Sequence, residues 1–246
     1  MQGVDLWFFH HLLTSSSRPL TILDADYRHA PETPFPGPVE DAVDVLRWVL
    51  ANVNGDFDTS KVVLSGFSAG ATLALVSSSI LGDMHKDASH PVRGVVAFYP
   101  ATDAVTLRRR ASECSAPKCR GISTARGVTI PDFALSFFVR SYFWGHKGAA
   151  LQQAQQSPVA SPLYADASTF PRDIMLVTCE YDTLRDEGEA FRAKFQDAIN
   201  IRGKEIKNVA HSFDYFVRDP SKRGWQERCQ AYDEVAQFLH ELFLVD

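Results

Sequence analysis

Short apolar runs alternate with amphipathic stretches along most of this chain. The apolar runs predict buried strands over residues 20–26, 62–65, 93–99, 174–179 and 204–209. Apolar residues recur at helical spacing between and after them, which predicts helices over residues 5–13, 38–53, 69–81, 186–198 and 225–243. Regular alternation of strand and helix predicts an α/β protein with a mostly parallel, doubly wound sheet.

The alternation stops between Ala101 and about Ser161. Within this stretch, residues 131–145 predict a helix rich in aromatic side chains, namely Phe133, Phe137, Phe138, Tyr142, Phe143 and Trp144. This helix either packs on the core or forms a cap whose apolar face lines a pocket for a hydrophobic substrate, and both can hold together. On the second interpretation, Phe137 and Phe138 contact the substrate. No repeat or linker divides the chain, so we expect one domain over residues 1–246 with a cap insert at about 103–160.

Composition excludes some partners and leaves others open. The chain has 246 residues, 45% hydrophobic and 22% charged, which suits one globular domain with a full core. A net charge of −5 argues against nucleic acid or an anionic membrane as the main partner. The apolar N-terminal run contains two histidines and no basic region, so we expect neither a signal peptide nor stable membrane insertion. A homodimer is compatible with the sequence, which defines no oligomeric state.

Four scattered cysteines do not form a disulfide framework. Cys114 and Cys119 form a C-x4-C pair with no second pair at zinc-finger spacing, so we expect no metal site. Cys179 and Cys229 lie in apolar patterns and are predicted to be buried thiols. Reduced cysteines of this kind favour a cytoplasmic location.

The strongest chemical motif is Gly-Phe-Ser-Ala-Gly at residues 66–70. Because it lies between a predicted strand and a predicted helix, its turn should be too tight for side chains at Gly66 and Gly70. Such a turn presents the Ser68 hydroxyl at the carboxyl end of the strand, beside a helix N-terminus. A chance match of common loop residues is the alternative, but the flanking elements favour a nucleophile at Ser68.

A serine nucleophile needs a histidine base. After Ser68, only His211 directly follows a late predicted strand, which places it at the same sheet edge as the serine. The other candidates are interpreted as solvated or packing residues: His85, His90, His146 and His240.

A carboxylate that orients this histidine should follow the strand at 174–179. Asp182 is the best candidate, because Glu180 lies too close to the strand end and Asp186 is placed to cap the next helix. The chain order serine, aspartate, histidine is the one expected of an α/β-hydrolase.

At this point the chain resembles a known family, the hormone-sensitive-lipase-like branch of the α/β-hydrolases, which contains esterases and lipases. The resemblance rests on Asp26-Tyr27-Arg28-His29-Ala30-Pro31-Glu32 with Phe35-Pro36 and Asp41, on Gly66–Gly70, on Asp182–Gly188 and on His211-Ser212-Phe213. It implies the α/β-hydrolase fold, with Ser68 as nucleophile, His211 as base and Asp182 as triad acid. It also implies that the Ala69 N–H serves as an oxyanion donor.

Two features depart from the family pattern. Phe67 stands where the family usually has Asp or Thr, and we predict that its ring also contacts the substrate. A His-Gly-Gly-Gly loop, which supplies oxyanion donors, is absent upstream of Tyr27, and so is the strand before it. We therefore expect an N-terminally incomplete sheet. Its strands either close over the position of the absent strand or leave backbone groups without hydrogen-bond partners. A start codon placed too late is the favoured explanation, and a short, weakened hydrolase is the alternative.

These features predict a serine hydrolase of small or hydrophobic acyl or aromatic esters, including specialised metabolites, that needs no metal or organic cofactor. An amidase or thioester hydrolase is equally compatible, because all three reactions pass through the same tetrahedral oxyanion. An inactive small-molecule binder is a further alternative. The absent glycine loop favours it, whereas the presence of His211 speaks against it.

Overall fold

The computed structural model describes residues 5–85, 89–107, 127–128, 130–217, 219–221 and 224–244. Its helices are α1 (Leu6–Ser15), α2 (Gly37–Ala51), α3 (Ala69–Met84), α4 (Asp132–Tyr142), α5 (Gly148–Gln155), α6 (Arg185–Phe195), α7 (Phe213–Phe216) and α8 (Trp225–Leu244). Its strands are β1 (Val63–Phe67), β2 (Gly94–Phe98), β3 (Asp173–Cys179), β4 (Asn200–Arg202) and β5 (Glu205–Ile206). Across these residues, no helix combines the length and apolar character needed to cross a membrane.

The described strands form one parallel sheet in the order β1-β2-β3-β4, with β5 also paired to β3. In the register of the first three strands, Phe67 lies beside Phe98, which lies beside Val177. The carboxyl ends of β1, β2 and β3 therefore meet at one edge. The predicted parallel α/β fold is confirmed.

Helices cover both faces of the sheet. Alternate β2 side chains point to opposite sides, so Val96 and Phe98 pack with α1 and α8, whereas Val95 and Ala97 pack with α3 and α6. The predicted helices agree with the observed ones within three residues at each end.

The predicted strand at residues 20–26 is wrong. Leu20 and Ile22 pack partly buried against the core, but this segment has no assigned strand structure. A strand needs a neighbour to complete its hydrogen bonds, and among the described strands β1 pairs only with β2. The predicted strand at 204–209 shortens to β5, and the three-residue strand β4 was too short to produce a visible pattern.

The motif around Arg28 is joined to α2 by a charged contact. The Arg28 backbone N–H donates to the Asp41 carboxylate at 2.8 Å, and its guanidinium binds the same carboxylate at 2.7 Å. These hydrogen bonds hold the pKa of Asp41 below its usual range. The two motif segments that the resemblance grouped are thus adjacent in the structure.

The insert contributes α4 and α5 to the described structure. One face of α4 is buried, because Leu135 and Val139 pack in a cluster with Leu184 and with Phe143, the residue after the helix. Tyr142 is partly buried, and the other aromatic side chains of this segment are exposed: Phe133, Phe137, Phe138 and Trp144. Residues 108–126, including the Cys114 and Cys119 pair, lie outside the described residues, and the single-domain organisation stays a prediction.

Helix α1 is held on the sheet by aromatic packing. Phe8 is 1% exposed, and its ring meets those of Phe67, Phe98 and Tyr232 edge-on at centroid distances of 5.0–5.7 Å. Such edge-to-face pairs add to the gain from burial. Phe8 therefore anchors the helix to the ends of β1 and β2.

We predict that Phe8→Ala lowers the free energy of unfolding by about 3–5 kcal/mol, because it removes a buried ring and leaves a cavity. Leu6→Ala is the control on the same helix. Since Leu6 is 62% exposed, its truncation should change stability by less than about 0.5 kcal/mol. Urea denaturation measures both variants, and equal losses would contradict the anchoring role.

Asp5 directly precedes α1 and is half-buried. Burial, followed by the negative charges of Asp214 and Asp24, raises the pKa of its carboxyl from 3.8 to about 6. Because the folded protein binds this proton more tightly than the unfolded chain does, the group destabilises the fold progressively as the pH rises from about 4 to about 6.

We therefore predict that Asp5→Asn raises the free energy of unfolding at pH 8 by about 1 kcal/mol, discounted for the partial exposure of the group, and changes it little at pH 4. Asparagine also suits this helix N-cap position. Denaturation at the two pH values measures the effect. Asp58→Asn is the control, because hydrogen bonds from Ser60 lower the pKa of Asp58. An equal gain at both pH values would contradict the titration argument.

Candidate active site

Ser68 occupies a strained turn between β1 and α3. Its backbone has φ 53° and ψ −119°, a conformation that non-glycine residues rarely adopt and that clusters at functional sites. The Ser68 N–H donates to the Phe98 carbonyl at 2.9 Å, and the Ser68 carbonyl accepts from the Thr72 N–H at 3.1 Å. These contacts on both sides hold the turn against β2 and α3.

The two glycines of the motif have different roles. A Cβ added at Gly66 would lie 2.3 Å from the Gly70 backbone, so the predicted need for glycine at Gly66 is confirmed. A Cβ added at Gly70 would meet no atom within 4 Å in the part of the chain that the structure describes. Sterics therefore do not explain Gly70, and the prediction for that position is wrong.

The structure brings Ser68, His211 and Asp182 into one line of hydrogen bonds. The His211 Nε2 lies 2.9 Å from the Ser68 Oγ, and the His211 Nδ1 lies 2.7 Å from the Asp182 Oδ2. Asp182 is 0% exposed and His211 is 6% exposed. With its proton on Nδ1, the imidazole donates to the carboxylate and accepts from the serine hydroxyl, which is the arrangement that activates a nucleophile.

Asp182 is fixed by the loop between β3 and α6. Its Oδ1 accepts from the Leu184 N–H at 2.9 Å, so both carboxylate oxygens have partners. Leu184 occupies the N-cap position of α6, and the prediction that Asp186 caps this helix is wrong. Asp186 is the second residue of the helix, and its carboxylate accepts from the Arg185 guanidinium. The Glu180 carboxylate accepts from the backbone of Asn208.

A backbone contact that the sequence did not indicate secures His211. The Val128 N–H donates to the His211 carbonyl at 2.8 Å in an isolated antiparallel bridge. Gly127 lies beside it with φ +98°, and an added Cβ there would lie 2.5 Å from the same carbonyl oxygen. Gly127 therefore allows the insert to approach the histidine loop closely.

A buried polar cluster lies behind His211. The Tyr99 ring is 4.6 Å from the imidazole, in an edge-on arrangement. The Tyr99 hydroxyl donates to Asp214 Oδ1 at 2.5 Å, and the Tyr232 hydroxyl donates to Asp214 Oδ2 at 3.0 Å. Burial raises the pKa of Asp214, against the lowering effect of the two tyrosine hydrogen bonds. Burial and the Asp214 charge raise the pKa of both tyrosines.

Sequence reasoning missed this cluster for identifiable reasons. Tyr99 directly follows a predicted strand at the same edge as Ser68, and that position could have marked it as a candidate. Tyr232 lies among apolar residues at helical spacing in α8, and that position favours core packing over a polar role. Asp214 carried no signal, because a single carboxylate in a short loop is common.

The remaining predicted site residues have clear positions. Ala69 is the exposed first residue of α3, so its N–H has no acceptor within the helix. Phe67 is half-buried and stacks on Phe98 at 4.6 Å, which gives its ring a packing role. Phe137 and Phe138 are 59% and 57% exposed. Contacts of these three rings with a substrate stay predictions.

The cysteines and potential metal ligands add little to the site. Cys179 is buried, and burial raises the pKa of its thiol well above the ordinary range. Cys229 is only half-buried, because Arg228 takes the inward position on α8, so the prediction of a buried thiol there is wrong. Within the described ranges, no three His, Cys, Asp or Glu side chains are arranged to hold a metal ion.

Comparison with known proteins places this geometry in context. An arylesterase from Saccharolobus solfataricus is 28% identical over 207 residues, which cover 82% of this chain and 60% of the relative. A versiconal hemiacetal acetate esterase from Dothistroma septosporum is 29% identical over 197 residues, which cover 78% of this chain and 56% of that protein. The chain thus spans little more than half the length of these curated relatives.

A solved structure gives the same result for the fold. An esterase from Pyrobaculum calidifontis has a TM-score of 0.77 and 29% identity to this chain, with 97% of this chain and 70% of that chain covered. A family model for the alpha/beta hydrolase fold matches residues 9–215 of this chain. The chain belongs to the α/β-hydrolase fold family, in the hormone-sensitive-lipase-like branch that its motifs indicated.

Proposed function

We propose that this protein is a serine hydrolase of carboxylic esters, in which Ser68, His211 and Asp182 form the catalytic triad. The observation that carries the proposal is the unbroken line of hydrogen bonds from the Ser68 Oγ through His211 to Asp182. The strained turn at Ser68 supports it independently, because such conformations cluster at catalytic centres.

In this mechanism, the Ser68 Oγ attacks the acyl carbonyl while the His211 Nε2 takes the hydroxyl proton. Asp182 keeps the other imidazole proton on Nδ1 and stabilises the imidazolium. The imidazolium then gives its proton to the departing alcohol, and an acyl-enzyme remains. Water attacks the acyl-enzyme with His211 again as base, which releases the acid and restores the serine.

The tetrahedral intermediate carries a negative charge on the former carbonyl oxygen. The Ala69 N–H is well placed to stabilise this charge, because it is unpaired within α3 and points from the positive end of the helix. A single donor gives only part of such stabilisation, since each donor typically contributes about 10²–10³ in rate.

The proposed substrates are small or hydrophobic acyl and aromatic esters. Two relatives are named for esters of this kind, an arylesterase and a versiconal hemiacetal acetate esterase. The exposed rings of Phe137 and Phe138 on α4 offer an apolar surface for an acyl or aryl group. The cytoplasmic location suggested by the cysteines stays a prediction.

We predict that a fluorophosphonate probe labels the protein covalently and that Ser68→Ala abolishes the labelling. The same change should lower kcat/KM for short p-nitrophenyl esters by about 10⁴ or more, because the nucleophile is lost. Mass spectrometry of the labelled peptide and a colorimetric assay measure the two effects. Ser65→Ala, which changes an exposed serine on β1 three residues before Ser68, is the control and should label normally.

The outcomes separate this proposal from its alternatives. Undiminished labelling of Ser68→Ala would refute the assignment of the nucleophile. Tight binding of an ester without turnover, unchanged in Ser68→Ala and His211→Gln, would favour a binding protein. Faster turnover of a matched amide or thioester than of the ester would change the substrate class while keeping the triad.

We also predict that Phe137→Ala and Phe138→Ala raise KM for long-chain p-nitrophenyl esters by about 5- to 20-fold. Each ring would bury apolar substrate surface, and this burial would contribute about 1–2 kcal/mol to the binding free energy. Acetyl esters should be little affected. Phe133→Ala is the control, since Phe133 is 77% exposed on the same helix. Equal effects on short and long esters would contradict a role of these rings in binding the acyl chain.

A further inference from the structure

Asp214 is a buried carboxylate that the proposed mechanism does not use. It is 4% exposed and lies on α7, three residues after His211. Its two oxygens accept hydrogen bonds from the hydroxyls of Tyr99 and Tyr232. Tyr99 follows β2 and Tyr232 belongs to α8, so Asp214 joins the histidine loop to the sheet and to the last helix.

One of these tyrosines also contacts His211 directly. The Tyr99 ring lies edge-on to the imidazole at 4.6 Å, in addition to the hydrogen bonds that His211 makes with Asp182 and Ser68. The Tyr99 backbone has a positive φ of 39°, and its N–H donates to the Val177 carbonyl at 2.7 Å. A strained residue persists only where its surroundings hold it. The hydrogen bond to Asp214 is one of the contacts that hold this ring against His211.

The charges around Asp214 come from several elements. Burial raises the pKa of Asp214, and the hydrogen bonds from the two tyrosines and, to a smaller extent, His211 on its own loop act against that rise. The buried thiol of Cys179 faces the cluster from β3, and Asp5 faces it from the start of α1. Arg228 on α8 lies against the Tyr232 ring and donates to the Val217 carbonyl. Two buried carboxylates, those of Asp182 and Asp214, therefore lie near the imidazole of His211.

We propose that Asp214 is a positioning residue for His211, which it holds through the Tyr99 ring and whose imidazolium form it stabilises as a second buried carboxylate, while the Tyr232 hydroxyl fixes Asp214 itself. This inference rests on the proposed function. In that mechanism the imidazole becomes positively charged in each transition state, and a preorganised negative charge in a water-poor site lowers the energy of that state. Asp182 supplies the direct hydrogen bond, and Asp214 supplies the longer-range charge and the fixed ring orientation.

The first test needs no catalytic activity. We expect Asp214→Asn to move the His211 imidazole C–H resonances at constant pH, because a weaker hydrogen bond from Tyr99 displaces the ring that lies 4.6 Å from the imidazole. NMR of these resonances measures the effect, with His211→Gln to assign the signal and Asp58→Asn as the control. Unchanged His211 resonances would overturn the proposal.

The second test is kinetic. We expect Asp214→Asn to lower kcat for p-nitrophenyl acetate about 10-fold while KM changes less than about 2-fold, because substrate contacts remain and the base is misplaced. Asp58→Asn, a distant exposed cap on the turn at residues 59–61, is the matched control. A normal kcat in Asp214→Asn would overturn the proposal.

A further variant decides the outcome if Asp214→Asn does not fold. Tyr232→Phe removes one hydrogen bond to Asp214 and keeps the ring in α8, and it should lower kcat about 3-fold or more at unchanged KM. A wild-type kcat in folded Tyr232→Phe would then overturn the proposal. Failure of the proposed function is distinguished by Ser68→Ala, since an undiminished rate there refutes the triad whatever the result at Asp214.

Discussion

The site depends above all on the parallel register of β1, β2 and β3. Because Phe67, Phe98 and Val177 lie side by side in the sheet, the next residues along β1 and β2, Ser68 and Tyr99, leave it at the same level. A strand end is a rigid origin for a side chain, whereas a free loop is not. A slip of one residue in either pairing would turn these side chains to the opposite face.

The two buried carboxylates at this edge have hydrogen-bond partners on both oxygens. Asp182 is completely buried, and a buried carboxylate is tolerated only when its oxygens are satisfied. His211 and the Leu184 N–H meet that need for Asp182, and the two tyrosine hydroxyls meet it for Asp214. Removal of one partner therefore leaves an uncompensated charge, which costs more than the lost hydrogen bond alone. The same burial that makes the cluster costly also makes its charges effective on the imidazole.

Those parts of the site that depend on local sequence pattern and on the order of elements along the chain could be predicted from the sequence. Ser68 could be identified because a strand, a glycine and a helix surround it, and His211 could be identified because it follows a late strand. The exposed face of α4 and the bridge at Val128 could not be predicted, because they depend on which surfaces meet in three dimensions. Tyr232 shows the same limit, since a tyrosine in an apolar stripe has the same spacing whether its hydroxyl meets a carboxylate or water.

The segment at residues 20–26 shows why an apolar run alone does not define a strand. Leu20 and Ile22 are partly buried as expected, yet the segment has no assigned strand structure, because strand structure needs hydrogen bonds from a neighbour. The contacts described for Ser68 come from other elements. The pairing of β1 with β2 fixes the strand that leads to Ser68, and the Ser68 N–H donates a hydrogen bond to the Phe98 carbonyl. On the side of α1, the Phe8 ring packs against the ring of Phe67. Strands β1, β2 and β3 therefore align the serine with the loop that carries Asp182, even though β1 has only one paired edge among the described strands.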